Sequence, residues 1–218
     1  KEITVGVSYT DGYQEPESLI SNPTNAISNI NDSPAGNVII DGVFEQFETL
    51  TANTSTITDE DGLGAFSYEW FANGEKIDGA TQATYTLTQS EVGKEITVGV
   101  SYTDGYQEPE SLISNPTNAI SNINEAPVIE SSSFERVQIG SSDSVIYFSD
   151  SSDPDGDLLT YSLSGDDKDL VKIDPLSGEV RLISGGNFKP IYNFDITVSD
   201  GTLEDTQSVT LTYTLDPT

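Results

Sequence analysis

Residues 94–105 read KEITVGVSYTDG. Ile96, Val98, Val100 and Tyr102 fall on every second position, the period at which a strand turns one face inward. Asp104-Gly105 then stops the run with a turn signal. The pattern predicts a half-buried β-strand ending in a tight turn. The surrounding sequence settles how many such units there are, because residues 1–31 (KEITVGVSYTDGYQEPESLISNPTNAISNIN) recur letter for letter at 94–124, an offset of 93 residues (94 minus 1). A perfect repeat with that period is one small domain. The remainder, 126–218, is itself 93 residues long. The chain therefore parses as the C-terminal part of a repeat (1–32, truncated or swapped), a complete repeat (33–125), and a third domain of different sequence (126–218). It starts in the middle of a repeat and contains no methionine, so it is expected to be a piece of a longer array.

The same period continues elsewhere. Tyr192, Phe194, Ile196 and Val198 alternate, as do Val209, Leu211, Tyr213 and Leu215. Asn73-Gly74, Asp78-Gly79, Ser177-Gly178 and Asp200-Gly201 punctuate short strands at the spacing of a sandwich. Leu87–Val92 has room for one helical turn at most. The fold class expected is all-β, tandem β-sandwiches in an elongated array.

Composition removes several functions. The formal net charge is −29, from 37 acidic residues against 8 basic ones. Such a surface repels the phosphates of nucleic acid and of anionic membranes. There is no cysteine and no histidine, which removes zinc, iron–sulfur and copper centres and every nucleophile–histidine triad. Paired carboxylates for glycoside hydrolysis arise here by abundance alone, and nothing marks a cleft. Secreted domains of this size often use disulfides; without them, calcium is the available staple.

Two resemblances add to this reading. Phe66-Ser-Tyr-Glu-Trp-Phe-Ala-Asn-Gly74, Thr84–Thr88 and Val98–Tyr102 resemble strands C, E and F of bacterial Ig-like repeats, with Trp70 as core anchor and no cysteine pair. Asn124-Glu-Ala-Pro-Val128, Asp153-Pro-Asp-Gly-Asp-Leu-Leu-Thr-Tyr-Ser162, Ser177-Gly-Glu-Val180 and Val198-Ser-Asp-Gly201 resemble the cadherin-like modules of bacteria. Both modules occur in giant, RTX-type surface adhesins of Gram-negative bacteria. The resemblance implies a non-catalytic, extracellular, cell-surface stalk. Its partners would be neighbouring domains of the same chain, and host or abiotic surface ligands at its tip.

The carboxylates can then be placed. Asp59-Glu-Asp61-Gly62 and Asp153-Pro-Asp155-Gly156 precede strand C, Asp104 and Asp200 follow strand F, and the corresponding loops of a sandwich share one end. The linkers Asn31-Asp32 and Asn124-Glu125 meet that end. One junction is expected from Asn31, Asp32, Asp59, Asp61 and Asp104. The other is expected from Asn124, Glu125, Asp153, Asp155 and Asp200, joined by Glu91, which stands where cadherins place an acidic LDRE motif. Oxygen-only, charge-dense shells suit Ca²⁺, which takes about 6–8 oxygens at about 2.3–2.6 Å. Asp153, Asp155 and Asp157 do not start an EF-hand, since Leu158 stands at its sixth position and Ser164 at its twelfth. Taken singly, Asp-Gly pairs are ordinary turns. A second function remains open, a glycan- or peptide-binding module built on Tyr13 and Tyr106 at loop tips.

Overall fold

In the computed structural model, which describes residues 1–138, 145–183 and 189–214, the alternation at Ile96–Tyr102 forms the central strand of one of two units. The units are Lys1–Ser121 and Asn122–Thr218. The first contains β1 (Gly6–Thr10), β2 (Pro16–Ile20), β3 (Ile39–Asp41), β4 (Thr49–Asn53), β5 (Ser67–Ala72), β6 (Glu75–Lys76), β7 (Thr84–Thr86), β8 (Ile96–Thr103) and β9 (Pro109–Ile113). Sheet β3-β4-β7 faces sheet β6-β5-β8-β9 across one core, so this part of the unit is a β-sandwich. Trp70 fills its centre, fully buried, with its indole N–H donating to the Gln82 carbonyl at 2.9 Å and its ring 5.9 Å from that of Tyr85. The β5–β6 turn places Asn73 and Gly74 at φ 49° and 83°. Two left-handed residues in succession make the type I′ turn that the Asn-Gly pair favours.

Beyond β9 the chain runs back along this sandwich. Ile120 is buried and exchanges backbone hydrogen bonds with Gly93 and Lys94, and the Ser121 N–H donates to Phe44. These bonds hold the segment to the first unit as far as Ser121.

The remaining element of the unit is the hairpin β1–β2, a two-stranded sheet of its own. Its register, Gly6↔Ile20 through Thr10↔Pro16, is that of β8–β9, Gly99↔Ile113 through Thr103↔Pro109. Identical residues nevertheless meet different surroundings. Val7 is 57% exposed, whereas its counterpart Val100 is 1% exposed.

The second unit contains β10 (Val128–Ile129), β11 (Phe134–Gln138), β12 (Val145–Phe148), β13 (Ser151–Ser152), β14 (Thr160–Ser164), β15 (Val171–Ile173), β16 (Glu179–Leu182), β17 (Ile191–Ser199) and β18 (Glu204–Thr214). Sheet β12-β16-β15 packs on sheet β11-β18-β17-β14, again a sandwich, with Ile146, Val180 and Leu182 against Phe194, Ile196 and Leu211. Strand β11 runs parallel to β18. Both predicted strands are present at β17 and β18; Leu215 lies outside the described residues. Among the described residues no helix is long and apolar enough to cross a membrane.

Asp167 ties the β14–β15 connection to β17. It is buried, accepts the Asn193 N–H at 2.9 Å and pairs with the Lys189 ammonium. The Lys189 hydrogen bond, then the Asn193 N–H, hold its carboxyl below the usual carboxylate range. A depressed folded pKa means stability that is present above the unfolded pKa of about 3.9 and lost as pH falls through the folded value. Asp167→Ala should therefore cost the second unit about 1.5–3 kcal/mol at pH 7, the range for hydrogen bonds to a charged group. The deficit should shrink as the pH drops below about 4. Calorimetry in EDTA from neutral to acid pH measures it, and a pH-independent deficit would contradict the assignment.

Candidate metal centres

In the first unit two turns built by aspartates meet. The Asp59 side chain accepts the Asp61 N–H at 2.8 Å, and the Gly62 N–H closes on the Asp59 carbonyl at 3.2 Å. At the end of β8 one oxygen of Asp104 accepts the N–H groups of Tyr106 and Glu108, both at 2.8 Å. The loops touch backbone to backbone through the Gly105 N–H and the Asp61 carbonyl, 3.1 Å apart. A Cβ at position 105 would lie 2.4 Å from that carbonyl, so the glycine is what permits the approach.

The linker closes over these loops. Asp61 receives the Asn29 side-chain amide at 2.8 Å and the Asp32 backbone N–H at 2.7 Å, while the Asn31 amide donates to Glu110 at 2.7 Å. The Tyr102 hydroxyl donates to Asp59 at 2.5 Å. Its own pKa is pushed far up, first by burial, then by that bond and by the negative charges of Asp59, Glu110 and Asp104. Asp61 is buried and Asp104 is 3% exposed, yet Asp104 Oδ2 has no hydrogen-bond partner. Among the described residues no lysine or arginine pairs with Asp59, Asp61 or Asp104.

The second unit repeats the plan with different residues. Asp153 Oδ1 accepts the N–H groups of Asp155 (2.9 Å) and Asp157 (3.2 Å), and Gly156 closes the turn. Carboxylate oxygens of Asp153, Asp155 and Asp157 lie within 4.8 Å of one another. Asp155 Oδ2 accepts the Glu125 N–H at 2.7 Å, and Asp200 accepts the Asn124 amide at 2.8 Å. The Leu203 and Thr202 N–H groups, with that amide, hold the Asp200 carboxyl below its ordinary pKa. Asp153 Oδ2 and Asp155 Oδ1 are buried without a hydrogen-bond partner.

The two linkers therefore act alike: Asp32 and Glu125, at equivalent repeat positions, each donate a backbone N–H to the second aspartate of an Asp-x-Asp pair. The structure brings Asn31 and Asp32 to the Asp59, Asp61 and Asp104 loops, and Asn124 and Glu125 to Asp153, Asp155 and Asp200. Within the first unit, Glu91 stands apart from the Asp59, Asp61 and Asp104 loops, a group to which it was not assigned. Glu91 caps a single 3₁₀ turn (Gln89–Glu91), accepting the Thr88 N–H at 2.9 Å and the Thr88 hydroxyl at 2.8 Å. Burial, then the charge of Glu91, push the Tyr85 hydroxyl up to about 12. Glu91 precedes β8 and Asp104 follows it, so the strand's eight residues set them about 26 Å apart at 3.3 Å per residue.

Asn29, Tyr102, Glu110 and Asp157 join the sites without having been singled out in the sequence. Asp157 had a readable signal in the Asp-x-Asp-x-Asp spacing; the other three had none. Chemically, carboxylate oxygens that are buried, unpartnered and free of any cationic side chain make an oxygen-only shell for a hard cation.

The family model described as Bacterial Ig domain matches residues 124–212. No curated protein matches the chain. Similar solved structures include human CDH23 EC21-23, at 14% identity and a TM-score of 0.43, covering 69% of this chain and 62% of that one. Protocadherin Gamma B2 extracellular cadherin domains 1-5 has 17% identity and a TM-score of 0.46, over 100% of this chain and 46% of that one. Mouse Cadherin-23 EC22-24 has 17% identity and a TM-score of 0.46, over 99% and 74%. The chain thus spans less than two thirds of the first two.

Proposed function

We propose that this chain is a non-catalytic, extracellular spacer of a bacterial surface adhesin, with calcium bound at the two carboxylate groups. The observation that carries the reading is the set of buried carboxylate oxygens without a hydrogen-bond partner, Asp104 Oδ2, Asp153 Oδ2 and Asp155 Oδ1. A buried polar atom left unpaired costs about 1–3 kcal/mol, more when charged, and divalent cations bound separately at the two groups would remove that cost. The match of residues 124–212 to bacterial Ig domains supports an extracellular, adhesion-related module.

In this reading Asp59, Asp61 and Asp104, with Glu110 and the Asn31-Asp32 linker, hold one ion set. Asp153, Asp155, Asp157 and Asp200, with Asn124-Glu125, hold the other. The cation cross-links each linker to the loops it covers, which restricts the linker's backbone and stiffens the stalk. Extracellular modules bind calcium at about 10⁻⁴–10⁻³ M, so the sites fill outside the cell and stay empty at cytosolic levels. The partners are neighbouring domains of the same adhesin, with any host or abiotic surface ligand held further out.

Calcium titration by calorimetry, paired with small-angle scattering with and without EDTA, tests both halves. The expected outcome is saturable binding in that concentration range and a longer maximum dimension with calcium. No binding heat would overturn the metal assignment, and an unchanged dimension would overturn the stiffening.

A further inference from the structure

We propose that the exposed apolar face of hairpin β1–β2 is a docking surface for a half-sandwich having the sequence of residues 33–93, which would complete a second Ig-like repeat by strand complementation. Residues 33–93 followed by residues 1–31 reproduce the sequence 33–124 letter for letter. The hairpin is thus one half of a domain whose finished form is visible within the same unit.

The docking face is already formed. The Ile3 N–H donates to the Thr24 hydroxyl at 3.1 Å and the Val5 N–H to the Ser21 hydroxyl at 3.0 Å; in the finished domain Ile96 and Val98 donate to Thr117 and Ser114 at 3.0 Å each. Asp11 accepts the Tyr13 and Glu15 N–H groups as Asp104 accepts those of Tyr106 and Glu108. Gln14 and Gln107 share a left-handed φ of 68° and 73°. Little ordering is left for binding to accomplish, which favours affinity.

What covers this face is also on view. In the finished domain Ile96, Val98 and Val100 are buried against Leu50, Ile57, Trp70 and Leu87, all contributed by 33–93. The outer edge of β8 pairs with β5, from Ser67↔Ser101 to Ala72↔Ile96. Strand β1 pairs with β2 alone, and Ile3, Val5, Val7 and Tyr9 are each more than half exposed. An open strand edge beside an apolar face fits an added strand with a core attached.

The test mixes the full chain with the isolated 33–93 polypeptide, diluted from urea to a concentration at which it is soluble, and follows complex formation by light scattering and Trp fluorescence. A one-to-one complex is expected. Val7→Ala should weaken it about tenfold, the worth of two buried methyl groups. Val7→Asp should weaken it on the order of a hundredfold or more, since a carboxylate would enter an apolar core. Ser8→Asp, on the opposite face where the counterpart Ser101 is exposed, should leave it unchanged. Absence of a complex overturns the proposal. So does a complex indifferent to Val7→Asp, which would mean exchange with residues 94–124, or self-association of the chain through Val7 that excludes the polypeptide.

Discussion

If calcium binds as proposed, Asp104→Asn should abolish the stabilisation it gives the first unit and leave the metal-free stability equal to or above that of the parent protein. The expectation follows from how differently the two oxygens of Asp104 are used. Oδ1 accepts the backbone N–H groups of Tyr106 and Glu108, and an asparagine carbonyl does the same. Oδ2 is buried with no donor. In the metal-free protein its charge has no compensating cation and shares the loop cluster with Asp59, Asp61 and Glu110, so removing it relieves repulsion. In the proposed calcium-bound form the same charge is a ligand, and an amide in its place loses both the charge and one oxygen. At about 100 times the dissociation constant, a bound ion stabilises the folded state by about 2.7 kcal/mol. The parent gains that increment, and the variant gains none. Trp70 is the only tryptophan and lies in the core of this unit, so its fluorescence during thermal unfolding reports the first unit without interference from the second. Equal stabilisation of variant and parent by calcium would refute the assignment. So would a variant less stable than the parent in EDTA, since that would make Asp104 a purely structural capping residue.

The strands were legible because burial and backbone period coincide at particular residues. Ile96, Val98 and Val100 are buried on the face the alternation predicted, and Tyr192, Phe194, Ile196 and Val198 do the same in the second unit. The Asp-x-Asp turns were legible for a related reason: an aspartate that caps its own turn must stand two residues ahead of the N–H it accepts, as Asp59 and Asp153 do. The parallel pairing of β11 with β18 left no trace in the local pattern, because period reports which face is buried and is silent about which strand lies alongside. The linker contacts were equally hidden. Asp32 and Glu125 were read for their carboxylates, and the structure uses their backbone N–H groups, which every residue except proline carries. Asn29 and Tyr102 act through contacts more than 30 residues away, to Asp61 and Asp59, and no motif announces them.

The duplicated hairpin permits a comparison that separates sequence from environment completely. Val7 and Val100 sit in identical 31-residue segments, with the same neighbours and the same strand register. Any local propensity cost of a substitution is therefore equal at the two positions. Val100→Asp places a carboxylate in the buried hydrophobic cluster that also holds Trp70 and Leu50. Isolated charges buried in this way cost several kcal/mol even after relaxation, a large share of the 5–15 kcal/mol that holds a typical domain together. The first unit should lose its cooperative transition, with Trp70 emission shifted to that of exposed indole at room temperature. Val7→Asp exchanges an exposed side chain for another, where substitutions usually stay within about 0.5 kcal/mol, and the melting curve of the sandwich should superimpose on that of the parent. Thermal unfolding of the two variants side by side measures the difference directly. A Val7→Asp protein destabilised as severely as Val100→Asp would mean that the hairpin's apolar face is buried in the isolated chain. A folded Val100→Asp protein would mean either that the hairpin of residues 1–31 had taken the place of the altered β8–β9 in the core of another copy, or that the core tolerates the charge. The concentration dependence of the transition distinguishes that exchange from a tolerant core, since only the exchange requires two chains.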